Sequence, residues 1–159
     1  MFEKILVCLD GSELAEQVLP YAEEQAKRFG SKVILLRVVP VASTTAMATA
    51  AEVAAEQIAG DTGQAERYLE DVAQGLRRNG LDVETRVLQG KEGGAIVEYA
   101  HRSGIDLIAI ATHGRSGLGR AVFGSVADYV LRESGLPVLV VRPHEGEGTH
   151  RDQKGGRAT

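Results

Sequence analysis

Apolar residues cluster in short runs along this chain: Ile5 to Leu9, Val33 to Val39, Leu107 to Ala111 and Val138 to Val141. The first three suit strands buried on both faces, as in a parallel sheet, and the last is expected at a sheet edge. Val83 to Leu88 instead alternates apolar and charged residues, which predicts a half-exposed strand nearer the sheet edge. Between the strands the period changes to that of a helix. Leu14, Val18, Tyr21, Ala22, Ala26 and Phe29 predict one helix, capped by Asp10 or Ser12 and stopped at Gly30. Pro20 falls inside it and predicts a bend at residues 16–20. Ala65, Tyr68, Leu69, Val72 and Leu76 predict a firmer helix from Gln64 to Asn79, ended by Gly80. Residues 41–63 are rich in Ala, Thr and Gly without a clear period, and read as a variable connection, partly helical from Ala50. Gly90 to Gly94 reads as a turn, and Ala95 to Arg102 as a short helix stopped by Gly104. Gly124-Ser125 opens a last helical pattern, with Val126, Val130 and Leu131 on one side.

The order is therefore β-α-β-α-β-α-β-α-β. Strands alternating with helices predict a parallel sheet covered by helices on both faces. A chain of 159 residues has the length for one domain with a sizeable core, assigned here to residues 1–143. The remainder, 144–159, is polar and Gly-rich with cancelling charges, and predicts a disordered tail.

The stretch after the fourth strand carries the chemistry. Leu107 to Ala111 runs into a glycine-rich loop holding Gly114, Gly117 and Gly119 with Arg115 and Arg120, and the loop ends at Gly124-Ser125, where a helix begins. Strand, glycine loop, helix start is a way of presenting bare backbone N–H groups to an anion. At these residues the chain resembles the universal stress proteins, small cytoplasmic α/β proteins. Many members bind ATP through a motif of Gly, two residues, Gly, nine residues, then Gly-Ser or Gly-Thr. Gly114, nine residues on to Gly124-Ser125, fits the second and third glycines, and Ala111 stands at the first. Ala111 continues a strand pattern, where φ is negative and smallness is what the position asks for. The resemblance covers residues 1–143.

That resemblance implies a Rossmann-like, adenine nucleotide α-hydrolase-like sheet of order 3-2-1-4-5, whose order reverses between the first and fourth strands, where such folds bind ligands. It implies Asp10 on the ribose, Val38 backbone on the adenine and Ile110, beside Ala111, as an apolar wall. It also implies that Gly114, Arg115, Gly124, Ser125 and Val126 hold the phosphates of ATP, with or without Mg2+. A homodimer paired through the last strand is implied as well. Each residue has a plainer reading that stays open. Asp10 and Ser125 serve as N-caps, the loop glycines as a flexible connection, and the two arginines as solvated charges. His113 reads as a loop residue and Cys8 as inert packing.

Other chemistries fail on spacing. Gly90-Lys91 is not a P-loop, Gly117-Leu118-Gly119 lacks the third glycine of a dinucleotide fingerprint, and Gly114 to Leu118 is not a nucleophile elbow. The histidines are too scattered for a metal site. No catalytic residue is assigned, so hydrolysis of ATP is expected to be slow or incidental. A net charge of −4 argues against nucleic acid. The first apolar run stops at Asp10, too short for a signal peptide or membrane span, and a cytoplasmic protein is expected. The function read from the chain is an ATP-binding stress-response module whose loop conformation a protein partner reads. The alternative is a nucleotide-free dimeric interaction protein of the same fold.

Overall fold

The computed structural model describes residues 1–41, 48–112 and 124–144. Its elements, in order, are β1 (Lys4–Cys8), α1 (Glu13–Glu16), α2 (Leu19–Phe29), β2 (Lys32–Val39), α3 (Ala48–Arg78), β3 (Val83–Gln89), α4 (Glu92–Ser103), β4 (Leu107–Ala111), α5 (Ser125–Glu133) and β5 (Val138–Val141). The five strands form one sheet in the order β3-β2-β1-β4-β5, and each neighbouring pair runs parallel. This is the doubly wound order the resemblance implies. β1 is central: Ile5 pairs with Val33 on one side and Leu107 on the other.

Alternate residues of the inner strands feed two separate cores. Ile5, Val7, Val33 and Leu35 pack with Ala15, Ala22, Ala26, Leu69 and Ala73 from α1, α2 and α3. Leu6, Cys8, Ile34, Leu36, Ile108 and Ile110 pack with Ile96, Ala100, Ala127 and Val130 from α4 and α5. The inner strands lack polar alternation because both faces are covered. β3 keeps it because it is an edge: Glu84 and Arg86 stay accessible there. β5 occupies the other edge, paired with β4 alone among the described residues.

Several helical expectations change. The first helix is two, α1 and α2, with the break at Gln17-Val18. Pro20 therefore lies in the first turn of α2, where no backbone N–H is needed, and costs little. Ser12 is the N-cap of α1, its Oγ accepting from Ala15 N at 3.1 Å. Tyr21 and Phe29 stay largely exposed, and Phe29 meets Phe2 edge-on at 5.2 Å. Residues 48–78 form one continuous helix rather than a loose connection followed by a helix. Gly60 and Gly63 obscured its period but do not stop it. On α5, Ala127 and Val130 face the core and Leu131 does not.

α4 also begins earlier than its pattern suggests, at Glu92, and takes Gly93 and Gly94 into its first turn. The reason is packing. Gly93 lies against the ring of Tyr129 on α5, and a Cβ there would stand 2.7 Å from Cδ1 and 2.8 Å from Cγ of that ring. The close approach sets α4 against α5, and α5 begins at the crevice described below. Gly93→Ala gains helix propensity but creates the clash, so thermal denaturation should show a net loss of about 1–3 kcal/mol. In a Tyr129→Ala background the same change should become neutral or stabilising. An unchanged sign between the two backgrounds would show that the ring is not what limits this position.

Candidate functional site

The order of the sheet reverses between β1 and β4, and the two strands send their chains to opposite faces. β1 continues through Leu9 to Ser12 into α1, and β4 continues through Thr112 toward α5. A crevice opens where such chains part. Here it holds a cavity of about 410 Å³ lined by residues from the ends of β1, β2 and β4, the middle of α3 and the starts of α4 and α5. Asp10, Val38, Ile110, Ala111, Gly124, Ser125 and Val126 all border it. Gly114 and Arg115, which the sequence also singles out, lie outside the described residues, as does His113.

On the β1 side, Asp10 Oδ1 accepts from Ser12 N at 2.9 Å and Ser12 Oγ at 2.6 Å. The capping role thus falls to Ser12, and Asp10 orients the cap. Both bonds use one carboxylate oxygen, and among the described residues Oδ2 has no hydrogen bond. On the β4 side, Ala111 is a strand residue paired with Val141, so it has no need of a left-handed backbone. Thr112 is buried, and its N–H donates to Val141 O. Its carbonyl accepts from Gly124 N at 2.6 Å, which ties the two ends of segment 113–123 together.

That bond uses the Gly124 amide and leaves the next three. The first helical bond of α5 runs from Asp128 N to Gly124 O. Ser125, Val126 and Ala127 therefore have no helical acceptor, and no side chain of Gly124 can cap them. Such a terminus carries roughly half a positive charge, and here it borders the cavity. The cavity is also lined by apolar residues, Leu36 and Val38 of β2, Pro40 just after it and Ile110 of β4. The residues present thus suit a ligand with an anionic end and a flat apolar end. Among the described residues no group of three or more His, Cys, Asp or Glu is placed to hold a metal ion. No described helix is long and apolar enough to cross a membrane.

A family model described as the universal stress protein family matches residues 1–142. The chain belongs to that family. It is 30% identical over 148 residues to the universal stress protein MJ0531 of Methanocaldococcus jannaschii, which covers 92% of this chain and 86% of that protein. The solved structure of hypothetical protein MJ0577, also from Methanocaldococcus jannaschii, matches with a TM-score of 0.81 and 29% identity over 92% of this chain and 99% of that one. A universal stress protein family protein of Arabidopsis thaliana, solved with AMP bound, matches with a TM-score of 0.64 over 93% of this chain and 96% of that one. At 17% identity that likeness shows the fold alone.

Among the lining residues of this universal stress protein, sequence reasoning left five polar ones unassigned: Arg37, Asp61, Gln64, Glu92 and Thr112. Only Arg37 had a visible signal, as a lone charge inside the apolar run Val33 to Val39. Cys8 also borders the cavity while remaining only 7% exposed. Burial, and secondarily the nearby Glu92 carboxylate, pushes its thiol from 9.0 up to about 12. At neutral pH it is a neutral, poorly nucleophilic group. The unfolded chain loses this proton near 9 and the folded chain near 12, so stability should fall as pH rises through that window. Two outcomes are expected. Native Cys8 should react with a thiol reagent at pH 8 on the order of a hundredfold or more slower than in urea. Cys8→Ala should flatten the alkaline decline in a denaturant titration series. Fast native labelling would show that the thiol is not held this way.

Proposed function

We propose that this universal stress protein binds an adenine nucleotide, ATP with or without Mg2+, in the crevice between β1 and β4, and acts as a regulatory module with little or no hydrolysis. The observation that carries this reading is the uncapped start of α5 sharing one cavity with Asp10 and an apolar wall. The amides of Ser125, Val126 and Ala127, with the Ser125 hydroxyl, donate to phosphate oxygens. The second oxygen of Asp10 accepts from a ribose hydroxyl. The adenine lies against Ile110 and Ala111 and hydrogen-bonds to the backbone of Val38. Gly124 contributes space rather than a donor, because its own amide is bound to Thr112. Gly114 and Arg115 complete the phosphate cradle in this reading. AMP in the Arabidopsis relative is in keeping with it, but the argument rests on the residues of this chain.

A bound nucleotide shifts the protein toward the conformations it binds better, and a protein partner in the cytoplasm reads that shift during stress. We further propose that β5, an apolar edge that is a liability if left open, pairs with the β5 of a second copy in a homodimer. Calorimetric titration with ATP should give a dissociation constant between millimolar and micromolar, about −4 to −8 kcal/mol. Ser125→Ala should weaken it roughly fivefold, the loss of one hydrogen bond of about 1 kcal/mol, and Gly124→Val should weaken it further. Absence of heat with both ATP and AMP, with no nucleotide released on denaturing the purified protein, would support the nucleotide-free interaction protein instead. Sedimentation at micromolar concentration should show a dimer, and Val140→Lys should convert it to monomer. A wild-type chain that sediments as monomer removes the strand-pairing part of the proposal.

A further inference from the structure

Arg37 sits near the end of β2 on the face it shares with Val33 and Leu35, opposite Leu36 and Val38. Its guanidinium carbon is 5.5 Å from the ring centroid of Tyr68 on α3. That ring is itself anchored, its hydroxyl donating to Glu16 Oε1 at 2.9 Å. The guanidinium also lies against Gly11, the residue that follows Asp10. A Cβ on Gly11 would stand 3.1 Å from Nη1 and 3.2 Å from Cζ, and the φ of +85° there suits glycine for a second reason. Stacking and close packing therefore hold the planar group in place. Its donors are another matter. Among the described residues Arg37 makes no hydrogen bond or ion pair, and it is the sole cation among those that line the cavity. Five N–H donors in a fixed fork thus border the crevice unengaged.

The start of α5 does not share this corner. It follows β4, and β1 lies between β4 and β2, so the two sites are separated by roughly 10 Å, two strand spacings. Phosphates held at α5 leave the Arg37 fork to some other group. Gly11 places Arg37 next to Asp10, the residue that meets the ribose in the reading above. An arginine fork is matched by a phosphate through two parallel hydrogen bonds, and its charge offsets that of the neighbouring carboxylate.

We propose that Arg37 forms a second anion subsite at the ribose edge, so that the preferred ligand is an adenine nucleotide carrying a phosphate on its 2′ or 3′ oxygen as well as on its 5′ oxygen. The proposal rests on the nucleotide reading and adds the class of nucleotide. Calorimetry on the full chain compares AMP, ADP, adenosine 2′,5′-bisphosphate and adenosine 3′,5′-bisphosphate. One of the two bisphosphates should bind about tenfold tighter than AMP. Arg37→Gln should bring that ratio close to one, and Arg37→Lys, which keeps the charge but loses the fork, should leave an intermediate ratio. The ratio of ADP to AMP affinity, set at the 5′ end, should not follow the Arg37 variants. Tyr68→Leu, which removes the platform, offers a second route to the same loss of preference. If the wild-type protein binds AMP and neither bisphosphate binds tighter, the subsite is wrong and the nucleotide reading stands. If it binds none of the four, the nucleotide reading itself falls and takes the subsite with it.

Discussion

The burial of β1 between two strands and two helical layers is the constraint on which the molecule depends. Ile5, Leu6 and Val7 are fully excluded from solvent, and each side chain belongs to one of two cores on opposite faces of the sheet. A strand enclosed on all sides has no room for a following helix on both faces. The chain after β1 turns to the face of α1, whose Ala15 joins one core. The chain after β4 returns as α5 on the other face, where Ala127 joins the second core. The crevice between these departures is thus a by-product of packing. It needs no dedicated residues to exist, only residues that give it chemistry.

Those residues make the two sides of the crevice unlike. On one side a helix terminus offers three amides with no acceptor among the described residues, on a helix packed where Gly93 lets α4 approach the ring of Tyr129. On the other, Asp10 borders the crevice and uses one oxygen to orient the Ser12 cap, its second making no hydrogen bond among the described residues. Arg37 stands beyond it, stacked on Tyr68. The Tyr68 phenol is in turn pushed well above its ordinary value, first by burial and then by its hydrogen bond to Glu16. It stays protonated across the physiological range and keeps donating, so the platform under Arg37 does not change with pH near neutrality. In the proposed nucleotide reading, a site with a helix terminus and a separate cation discriminates by how charge is spread along a ligand, more than by total charge.

Much of the fold could be read along the chain, and the reasons are physical. Apolar runs of five to seven residues, each ended or preceded by Pro or Asp, are too short for a helix and too uniform for a surface strand, so Ile5 to Leu9, Val33 to Val39 and Leu107 to Ala111 had to be buried strands, while Val138 to Val141, at the sheet edge, is only partly buried. Val83 to Leu88 kept its alternation because one of its faces stays wet. Gly30 and Gly104 ended helices as expected, each in a left-handed conformation that glycine adopts without strain. Of the nine residues singled out for the site, the seven within the described chain border one cavity, and each lies at or just after the carboxyl end of a strand or at a helix start.

What the chain alone determined, then, was the alternation of buried strands and helices, and with it the position of a glycine-rich helix start after the fourth strand. Tertiary structure decided the rest. Glycine lowers helix propensity locally, and only the packing of α3 and α4 showed that Gly60, Gly63, Gly93 and Gly94 lie inside helices. The corner formed by Gly11, Glu16, Arg37 and Tyr68 is drawn from three separate segments, residues 11–16, β2 and α3. No periodicity links residues that far apart; strand order and helix layering bring them together, and both are set by the whole core at once.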